Sequence, residues 1–371
     1  MTTHAHIVGW GMYVPPRVLT NDDLAQMVDT SDEWIRARTG IAERHIADDS
    51  ETTASMAIKA AQQALQVAGL EPSQLDLIIV ATATPDYSFP ATACLVQDAL
   101  GATRAGAFDL AAGCTGFVYG LSVAANLILV GAYESILVIG AETLSRITDW
   151  NDRATCVLFS DGAGAVVLQA NGADGGVLSS VLGADGSGGD LLNLPAGGSR
   201  DPASHRTVDE GLHYIKMRGR EVFRFAVRTM PAATRQVLER AGLTISDLNL
   251  LIPHQANQRI IESSAKALGL PPEAVFSNVA WYGNTSAASI PIALCEAVEQ
   301  GRIQQNDLMV CVGFGAGLTW AAAAVRWSAP LPPAPPSRWE KVWYRLRYRY
   351  AALRSLVRRF LRWLFALGVK E

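Results

Sequence analysis

The sequence is organised around one stretch, Asp109-Leu-Ala-Ala-Gly-Cys-Thr-Gly-Phe117, in which Cys114 opens an apolar run that reaches Val130. Residues 115–130 carry apolar side chains on every side of a helical projection, which predicts a helix buried in a large core. Cys114 then lies at the helix N-terminus, where free backbone N–H groups and the helix dipole favour a thiolate nucleophile. The alternative is a small buried hydrophobic residue, which is what most free cysteines are.

Length and composition indicate a globular protein. The chain has 371 residues, of which 49% are hydrophobic, enough for one large domain or two smaller ones. Its five cysteines, at positions 94, 114, 156, 295 and 311, form no CxxC pair, which predicts reduced thiols in the cytoplasm and neither disulfides nor a zinc site. The N-terminus has no basic region followed by an apolar core, so we expect no secretory signal.

Charge divides the chain into two unlike parts. Residues 338–371 contain ten Lys and Arg against two Glu, a net charge of +8. The preceding 337 residues contain 21 Lys and Arg against 33 Asp and Glu, a net charge of −12. Between the two parts, residues 328–337 contain five prolines, which predicts an extended linker.

Apolar strands that alternate with helices predict an α/β fold. The predicted helices are residues 53–68, 115–130, 220–241, 258–268 and 286–300, and the predicted strands are residues 6–10, 75–82, 135–141, 164–169, 249–253, 307–313 and 318–327. Each half has the order helix, strand, helix, strand, strand, so the halves look like one duplicated unit. We expect halves at residues 1–175 and 176–327, a linker at 328–337 and a helical tail at 338–371. The Gly-rich stretch 184–218 is predicted to be an irregular binding lid or wall.

Two further motifs place polar side chains where α/β sheets present their chemistry. His254 and Asn257 follow the strand 249–253, and Asn284 lies in a turn before a helix. Singly, they read as a strand-end histidine and a turn residue or helix cap. Together with Cys114 they predict a Cys–His–Asn site, in which a thiolate attacks a thioester and the neutral His and Asn donors stabilise an enolate. A protease with a general base would also use Cys and His.

The stretch Gly313-Phe-Gly-Ala-Gly-Leu-Thr-Trp320 is a glycine-rich turn. No Lys-Ser/Thr pair follows it, it opens no helix, and no acidic residue stands at the spacing that dinucleotide binding requires, so we discount phosphate and dinucleotide binding. Its backbone N–H groups are suited instead to an oxyanion hole shared with the amide of Cys114.

Five motifs, in this order, resemble those of beta-ketoacyl-acyl carrier protein synthase III. They are Thr30-Ser-Asp-Glu-Trp-Ile-Arg-Ala-Arg-Thr-Gly-Ile41, Ala111-Ala-Gly-Cys-Thr-Gly-Phe117, Pro253-His-Gln-Ala-Asn257, Tyr282-Gly-Asn-Thr-Ser286 and Phe314-Gly-Ala-Gly-Leu-Thr-Trp320. The resemblance covers residues 1–327. It implies a thiolase-like fold, an active homodimer and no metal or redox cofactor, and no nucleic acid partner is expected.

The resemblance also implies a reaction. A short acyl-CoA primer would acylate the cysteine and then condense with malonyl-acyl carrier protein in a decarboxylative Claisen reaction that initiates fatty acid synthesis. Alternatives are a secondary-metabolism condensing enzyme or acyltransferase with another donor and acceptor, and a catalytically idle scaffold that docks carrier proteins.

Roles for individual residues follow from the same resemblance. It implies that Cys114 accepts the acyl group, that His254 and Asn284 promote decarboxylation and steady the enolate, and that the amides of Cys114 and Ala316 form the oxyanion hole. For coenzyme A, it implies that Trp34 and Arg153 sandwich the adenine, Arg38 lies near the phosphates and Asn257 contacts the pantetheine arm. Phe89 would reach across the dimer to close the acyl tunnel and favour short primers, or would simply pack at a dimer interface. Arg224 and Arg259 would face the acidic carrier protein, or be solvated charges on helices.

The sequence departs from the family pattern in two places. Gly113 replaces the usual small alanine before the cysteine, and the loop at 197–209 is longer than is typical of the family. The acyl pocket is therefore expected to differ from that of the housekeeping enzyme.

The tail lies beyond the resemblance. Its large apolar residues recur at spacings of four and three, which predicts an amphipathic helix with one apolar stripe: Trp339, Trp343, Leu346, Tyr350, Leu353, Val357, Phe360 and Leu364. The tail has no run of about 18 apolar residues, so it should not span a bilayer. Arginines interleaved with Trp, Tyr and Phe suit a helix in the headgroup region of an anionic membrane. A coiled coil, a helix folded back on the acidic body and a contact with the carrier protein are the alternatives. We expect a cytoplasmic enzyme with peripheral membrane contact.

Overall fold

The computed structural model describes residues 4–329 and 338–368. Its strands are β1 (His4–Tyr13), β2 (Val18–Thr20), β3 (Glu43–His45), β4 (Leu77–Ala81), β5 (Gly106–Leu110), β6 (Ser135–Thr143), β7 (Asp161–Asn171), β8 (Gly176–Ala184), β9 (Leu192–Asn193), β10 (Lys216–Met217), β11 (Leu250–Pro253), β12 (Leu308–Gly315) and β13 (Thr319–Arg326). Its α-helices are α1 (Asn21–Ala25), α2 (Asp32–Thr39), α3 (Thr53–Ala68), α4 (Thr92–Leu100), α5 (Gly116–Leu129), α6 (Arg153–Cys156), α7 (His205–Asp209), α8 (Gly219–Arg240), α9 (Gln258–Leu268), α10 (Val279–Tyr282), α11 (Ser289–Glu299) and α12 (Arg338–Gly368).

The two halves share one topology. The first sheet has the order β1-β7-β6-β4-β5 and the second has the order β11-β12-β13-β8. In the first, β4 is parallel to β6 while β7 is antiparallel to β6 and β1; in the second, β11 is parallel to β12 while β13 is antiparallel to β12 and β8. A parallel bridge between Leu251 and Val275 stands where β5 stands in the first half. The predicted boundary between residues 175 and 176 falls between β7 and β8, and the duplicated α/β unit is confirmed.

Helices α5 and α11 form a central layer between the two sheets, and both contact strands of each sheet. Nine of the 14 residues of α5 are buried, so the prediction of a core helix after Cys114 is confirmed. On the outer faces, α3 and α4 cover the first sheet, and α8, with α9 packed on it, covers the second. The order helix, sheet, helix, sheet, helix leaves both sheets covered on both faces, which explains their apolar strands.

Capping residues fix the ends of the helices that were predicted to the residue. The Thr52 hydroxyl accepts a hydrogen bond from the Ser55 amide at the start of α3, and Gly69 ends that helix in the left-handed conformation with φ of 66°. Asn257 caps α9 in the same way by accepting from the Arg259 amide, and Gly269 ends it. Asn257 is therefore held at the mouth of the second sheet by its own helix.

Some elements differ from the sequence prediction. The stretch 184–218 is mostly irregular but contains α7, the short pair β9 and β10, and the end of β8. The helix predicted at 286–300 begins with a 3-10 turn at Ser286–Ala288, and α11 starts at Ser289. Helix α4 and strand β5 had no counterpart among the predicted elements. All but the first two residues of the predicted linker lie outside the described residues.

Helix α12 confirms the helical tail up to Gly368; residues 369–371 lie outside the described residues. It spans about 47 Å at 1.5 Å per residue and contacts α4 on the outside of the first half. Within the described residues, no helix combines the length and the apolar character needed to cross a membrane.

Glycines allow the two halves to touch at their backbones, and one substitution tests this. A methyl group on Gly140 of β6 would lie 2.1 Å from the carbonyl oxygen of Ala287. We expect Gly140→Ala to lower the free energy of unfolding by about 1–3 kcal/mol, because overpacking forces backbone shifts. Urea unfolding followed by circular dichroism measures it. Gly172→Ala is the matched control, since no atom lies within 4 Å of its added methyl group; equal stability of the two variants would contradict the close approach.

Candidate active site

One cleft brings the predicted catalytic side chains together. It has a volume of about 770 Å³ and is lined by residues of both halves, among them Cys114, His254 and Asn284. Trp34 and Arg38 lie on its walls. Asn257, Arg224 and Arg259 line it as well. Cys114, His254 and Asn284 are far apart in the sequence but line the same cleft, as a Cys–His–Asn site requires.

Cys114 is held in a 3-10 turn, Gly113–Thr115, that leads directly into α5. Gly113 has a φ of 53°, a left-handed conformation that favours glycine, and a methyl group added to it would lie 3.2 Å from the amide nitrogen of Ala316. A methyl group added to Gly315 would lie 2.7 Å from the amide nitrogen of Cys114. The glycine-rich turn therefore lies directly against the nucleophile turn, with the amides of Cys114 and Ala316 close to each other.

Two threonines join these turns. The single proton of the Thr115 hydroxyl can be donated to the carbonyl of Ala112, 2.7 Å away, or to the Thr319 hydroxyl, 3.0 Å away. The Thr319 hydroxyl in turn donates to the carbonyl of Ala316 at 3.0 Å. This hydrogen-bond chain fixes the relative positions of the two backbone segments.

The protonation state of Cys114 differs from the sequence prediction. Burial, the largest cause, and the nearby Glu142 raise the pKa of the Cys114 thiol to about 11, although a hydrogen bond with Ser286 acts in the opposite direction. The helix N-terminus also favours the thiolate, but desolvation outweighs it because Cys114 is buried. The raised pKa favours a neutral thiol at rest, in the opposite direction to the thiolate that the helix N-terminus favours.

His254 follows β11 and is buried as a neutral imidazole. Burial lowers the pKa of His254 to about 3. Its Nδ1 shares a hydrogen bond of 2.6 Å with the Ser289 hydroxyl, so Nε2 is the ring nitrogen available to a ligand in the cleft. A serine hydroxyl can donate or accept, so Ser289 supports either tautomer: Nε2 as a base, or Nε2–H as a donor.

Asn284 presents its amide donor. Its backbone pairs with the segment after α6, donating to the Leu158 carbonyl at 2.9 Å and accepting from the Ser160 amide at 3.0 Å. Its side-chain Oδ1 accepts from the Ser286 amide at 2.9 Å. Because the oxygen is engaged, the NH₂ group is the part left to donate to a ligand.

Three residues behind the site were not predicted from the sequence: Ser289, Ser286 and Glu142. Glu142 is buried, accepts from the Thr84 hydroxyl at 2.6 Å and from the amide of Ala83, and its burial raises its pKa. Ser286 acts to lower the pKa of both the Glu142 carboxyl group and the Cys114 thiol, against the effect of burial. Ser286 ends the quoted motif that contains Asn284 and Ser289 follows it three residues later, so their spacing of two and five residues from Asn284 was the available signal.

The residues predicted for coenzyme A cluster at the outer end of the cleft. The Asn257 amide donates to the carbonyl of Arg38 at 3.2 Å. The Arg38 guanidinium lies 5.6 Å from the centre of the Trp34 ring and that of Arg153 lies 5.0 Å from it. Arg153 also donates to the Asp29 carbonyl at 2.7 Å. Since two stacked contacts need about 7 Å, Arg153 occupies the space in which an adenine would be sandwiched.

The other predicted contacts divide between the cleft and the surface. Arg224 and Arg259 line the cleft from α8 and α9, and Arg259 lies over the Phe223 ring at 5.5 Å. Phe89 is 87% exposed and is not among the residues that line the cleft. A single copy of the chain therefore does not use Phe89 to close the acyl pocket.

Comparison with known proteins identifies the family. A model described as 3-oxoacyl-[acyl-carrier-protein (ACP)] synthase III matches residues 108–186, and the model of its C-terminal part matches residues 238–327. The beta-ketoacyl-[acyl-carrier-protein] synthase III of Symbiobacterium thermophilum is 60% identical over 321 residues, which cover 86% of this chain and 97% of the relative. The chain belongs to the beta-ketoacyl-[acyl-carrier-protein] synthase III family.

Other members agree in sequence and in structure. The synthase III of Caldanaerobacter subterraneus is 57% identical over 324 residues, 87% of this chain and 98% of the relative. The crystal structure of 3-oxoacyl-[acyl-carrier-protein] synthase III from Aquifex aeolicus has a TM-score of 0.81 at 49% identity and covers 87% of this chain and 100% of that one. The synthase III resemblance and the thiolase-like fold are confirmed, and the protein is a condensing enzyme of the acyltransferase type. The matched C-terminal model ends at residue 327, before the tail.

The raised pKa of Cys114 can be tested by alkylation. We expect the rate of carboxamidomethylation of Cys114 by iodoacetamide to rise about tenfold per pH unit from pH 7 to 9, because the reacting thiolate is a minor species throughout that range. Mass spectrometry of the Cys114 peptide measures the rate, with circular dichroism at each pH as the control for folding. A rate that levels off below pH 8 would show a thiolate nucleophile at rest.

Proposed function

We propose that the protein condenses a short acyl-CoA primer with malonyl-acyl carrier protein through an acyl-Cys114 intermediate, and so initiates fatty acid synthesis. The observation that carries this proposal is the shared cleft in which a buried thiol, a neutral imidazole and a carboxamide donor meet. Its chemistry suits one nucleophilic step and one step that generates an enolate.

The first step transfers the acyl group. The Cys114 sulfur attacks the thioester carbonyl while Nε2 of His254 takes the thiol proton, which is needed because burial keeps the thiol neutral. The amides of Cys114 and Ala316 donate to the oxygen of the tetrahedral intermediate. The C–S bond to coenzyme A then breaks, and its thiolate takes the proton from His254. The acyl-enzyme and free coenzyme A result.

The second step makes the carbon–carbon bond. Malonyl-carrier protein loses carbon dioxide, and the electron pair of the broken C–C bond forms an enolate. Nε2–H of His254 and the NH₂ group of Asn284 donate to the enolate oxygen, and Ser289 supports the tautomer that this requires. The enolate carbon attacks the acyl carbonyl and expels the Cys114 thiolate, which regains a proton from solvent.

Substrate entry uses the charged rim of the cleft. Trp34, Arg38, Arg153 and Asn257 would hold coenzyme A, after Arg153 moves off the Trp34 ring. Arg224 is well exposed and only weakly paired, with 3.9 Å to Glu221, so its charge is available to an acidic carrier protein. The proposal also specifies the acyl donor and the acceptor. A screen of acyl-CoA donors against malonyl-carrier protein, malonyl-CoA and hydroxyl acceptors distinguishes it from a secondary-metabolism enzyme with another pair of substrates.

Variants of the three residues should separate the two steps. With acetyl-CoA, we expect an acetyl mass on the Cys114 peptide that Cys114→Ser abolishes and Cys94→Ser, outside the cleft, retains. Asn284→Ala should acylate normally but lose condensation by about 10²–10³-fold, as for the loss of an oxyanion donor. His254→Ala should lose condensation and also acylate more slowly than Asn284→Ala, because the thiol keeps its proton. Intact-mass kinetics and ketoacyl product formation measure the two steps; normal condensation by His254→Ala would sink the assignment.

A homodimer completes the proposal. Strand β5 is an edge of the first sheet, and Phe108 on it is 37% exposed; Tyr87 and Phe89, in the segment between β4 and α4, are also exposed. An exposed edge strand with aromatic side chains is suited to pairing with its own copy across a two-fold axis. In such a dimer Phe89 would reach the partner's cleft, where a large side chain would favour short primers.

Size-exclusion chromatography with light scattering tests this pairing. We expect Phe108→Arg to give a monomer, because an unpaired charge would be buried at the interface, whereas the unchanged protein is a dimer. Val130→Arg introduces the same charge at an exposed apolar residue, 75% exposed, that caps the C-terminal end of α5, and this control should remain dimeric. A dimeric Phe108→Arg protein would exclude β5 as the interface.

The reaction itself needs no lipid. We propose, in addition, that residues 338–371 make a peripheral contact with a membrane surface, since the family match ends before them and they carry +8 net charge. Their arginines and aromatic residues support the proposal.

A further inference from the structure

Helix α12 binds the body through a narrow face of small and polar residues. Ala351 and Ser355 are buried, and Tyr348 packs against the core beneath α3 and α4. The Ser355 hydroxyl donates to the Asp98 carboxylate of α4 at 2.5 Å. A methyl group on Gly101, which ends α4, would lie 3.1 Å from the Cβ of Ala351, so only a small residue fits there.

Ion pairs reinforce this face at both ends. Arg347 pairs with Glu71, and Arg359 lies 3.3 Å from the carboxylate of Asp98. Each pair joins the basic tail to the acidic body. One of the alternatives predicted for the tail, a helix folded back on the acidic body, is therefore correct for one face of α12.

The opposite side of α12 is apolar and exposed. All eight residues of the predicted stripe are exposed, between 43% for Leu364 and 84% for Trp339. At 3.6 residues per turn they lie on the side of the helix away from Tyr348, Ala351 and Ser355. Further exposed apolar residues widen this surface: Val342, Leu356, Leu361 and Trp363. A continuous apolar surface of this kind marks an interaction site rather than ordinary surface.

Charge identifies the occupant of that surface. Between Lys341 and Lys370 the sequence contains no Asp or Glu, and Arg349, Arg358 and Arg362 are exposed. A second α12 packed on this surface would bring arginines against arginines, and a carrier protein would use the arginines but not the apolar stripe. An anionic bilayer takes both: the apolar side chains enter the acyl boundary and the arginines pair with the headgroup phosphates.

We infer that α12 holds the catalytic body against an anionic bilayer as a fixed connector, with the Tyr348, Ala351 and Ser355 face bound to α4 and the stripe in lipid at the same time. This inference rests on the proposed membrane contact. The inference adds that α12 stays bound to α4 while it contacts the membrane, so that the body is not connected to the membrane through the linker alone. The basic helix also separates the acidic body, of net charge −12, from the anionic lipid that would repel it.

A disulfide between the two docked elements tests the inference. Asp98→Cys and Ser355→Cys, in a Cys94→Ser background, place two thiols where a carboxylate and a hydroxyl now bond. We expect mild oxidation to link them in the full-length chain, and the linked protein to co-sediment with vesicles of phosphatidylcholine and phosphatidylglycerol, but not with phosphatidylcholine alone, as well as the reduced protein does. If cross-linking abolished vesicle binding, α12 would have to leave α4 to reach lipid. That result would overturn the docked connector but not the proposed membrane contact of the reduced protein.

Two variants test the lipid-facing side. The triple change Trp343→Ser, Leu353→Ser and Phe360→Ser keeps every charge and should weaken co-sedimentation at least tenfold, and truncation after Trp327 should abolish it. The matched control Thr244→Ser lies outside the helix and should bind as the unchanged protein does. The inference would be overturned if the triple variant bound vesicles as well as the unchanged protein. It would also be overturned if light scattering showed an oligomer that forms without lipid and only in the full-length chain. Condensation activity of the truncated protein in solution reports separately on the proposed reaction.

Discussion

Backbone contact between the two halves is the constraint on which the active site depends. Gly315 lies against the amide of Cys114, and Gly140 lies against the carbonyl of Ala287, at distances that leave no room for a methyl group. The N-terminal turns of the two central helices, which carry Cys114 and Ser286, are brought together by these contacts. Because backbone segments are stiffer than side chains, the amides and catalytic groups are held in place before any substrate arrives.

Burial favours the uncharged forms of the catalytic thiol and imidazole at rest. It raises the pKa of the Cys114 thiol and lowers that of the His254 imidazole, so both groups are uncharged at neutral pH. Burial also raises the pKa of the Glu142 carboxyl group behind them. Uncharged catalytic groups with fixed donors interact most strongly with charge that develops during the reaction, and stabilising an enolate intermediate requires such an interaction.

Local signals made much of the fold predictable. Helices α3 and α9 were placed to the residue because capping side chains and terminal glycines mark their ends. Helix α5 was recognised from its unbroken apolar run, and the catalytic motifs gave Cys114, His254 and Asn284. Strand β5, Gly106–Leu110, was missed because its partly exposed GAFDL sequence lacks both alternation and β-branched residues.

The sequence does not reveal which distant residues come into contact or how deeply a catalytic group is buried. The hydrogen bond from Ser289 to His254 joins residues 35 positions apart, and only the packing of α11 beside β11 creates it. The pKa of Cys114 was misjudged because the helix N-terminus is visible in the sequence whereas the depth of burial is not. Likewise, the apolar stripe of α12 was visible, but the face that binds α4 consists of small and polar residues without a distinctive pattern.

The position of Arg153 has a consequence for turnover. With its guanidinium on the Trp34 ring and its hydrogen bond to Asp29, this arginine is an internal competitor for the adenine site. An internal competitor raises the dissociation constant of the nucleotide by the factor by which the closed state is favoured. Because acyl-CoA and free coenzyme A carry the same adenine, this penalty weakens the binding of both in the proposed reaction: it lowers the affinity for the donor and also limits how strongly spent coenzyme A is retained at the entrance that the second substrate must use.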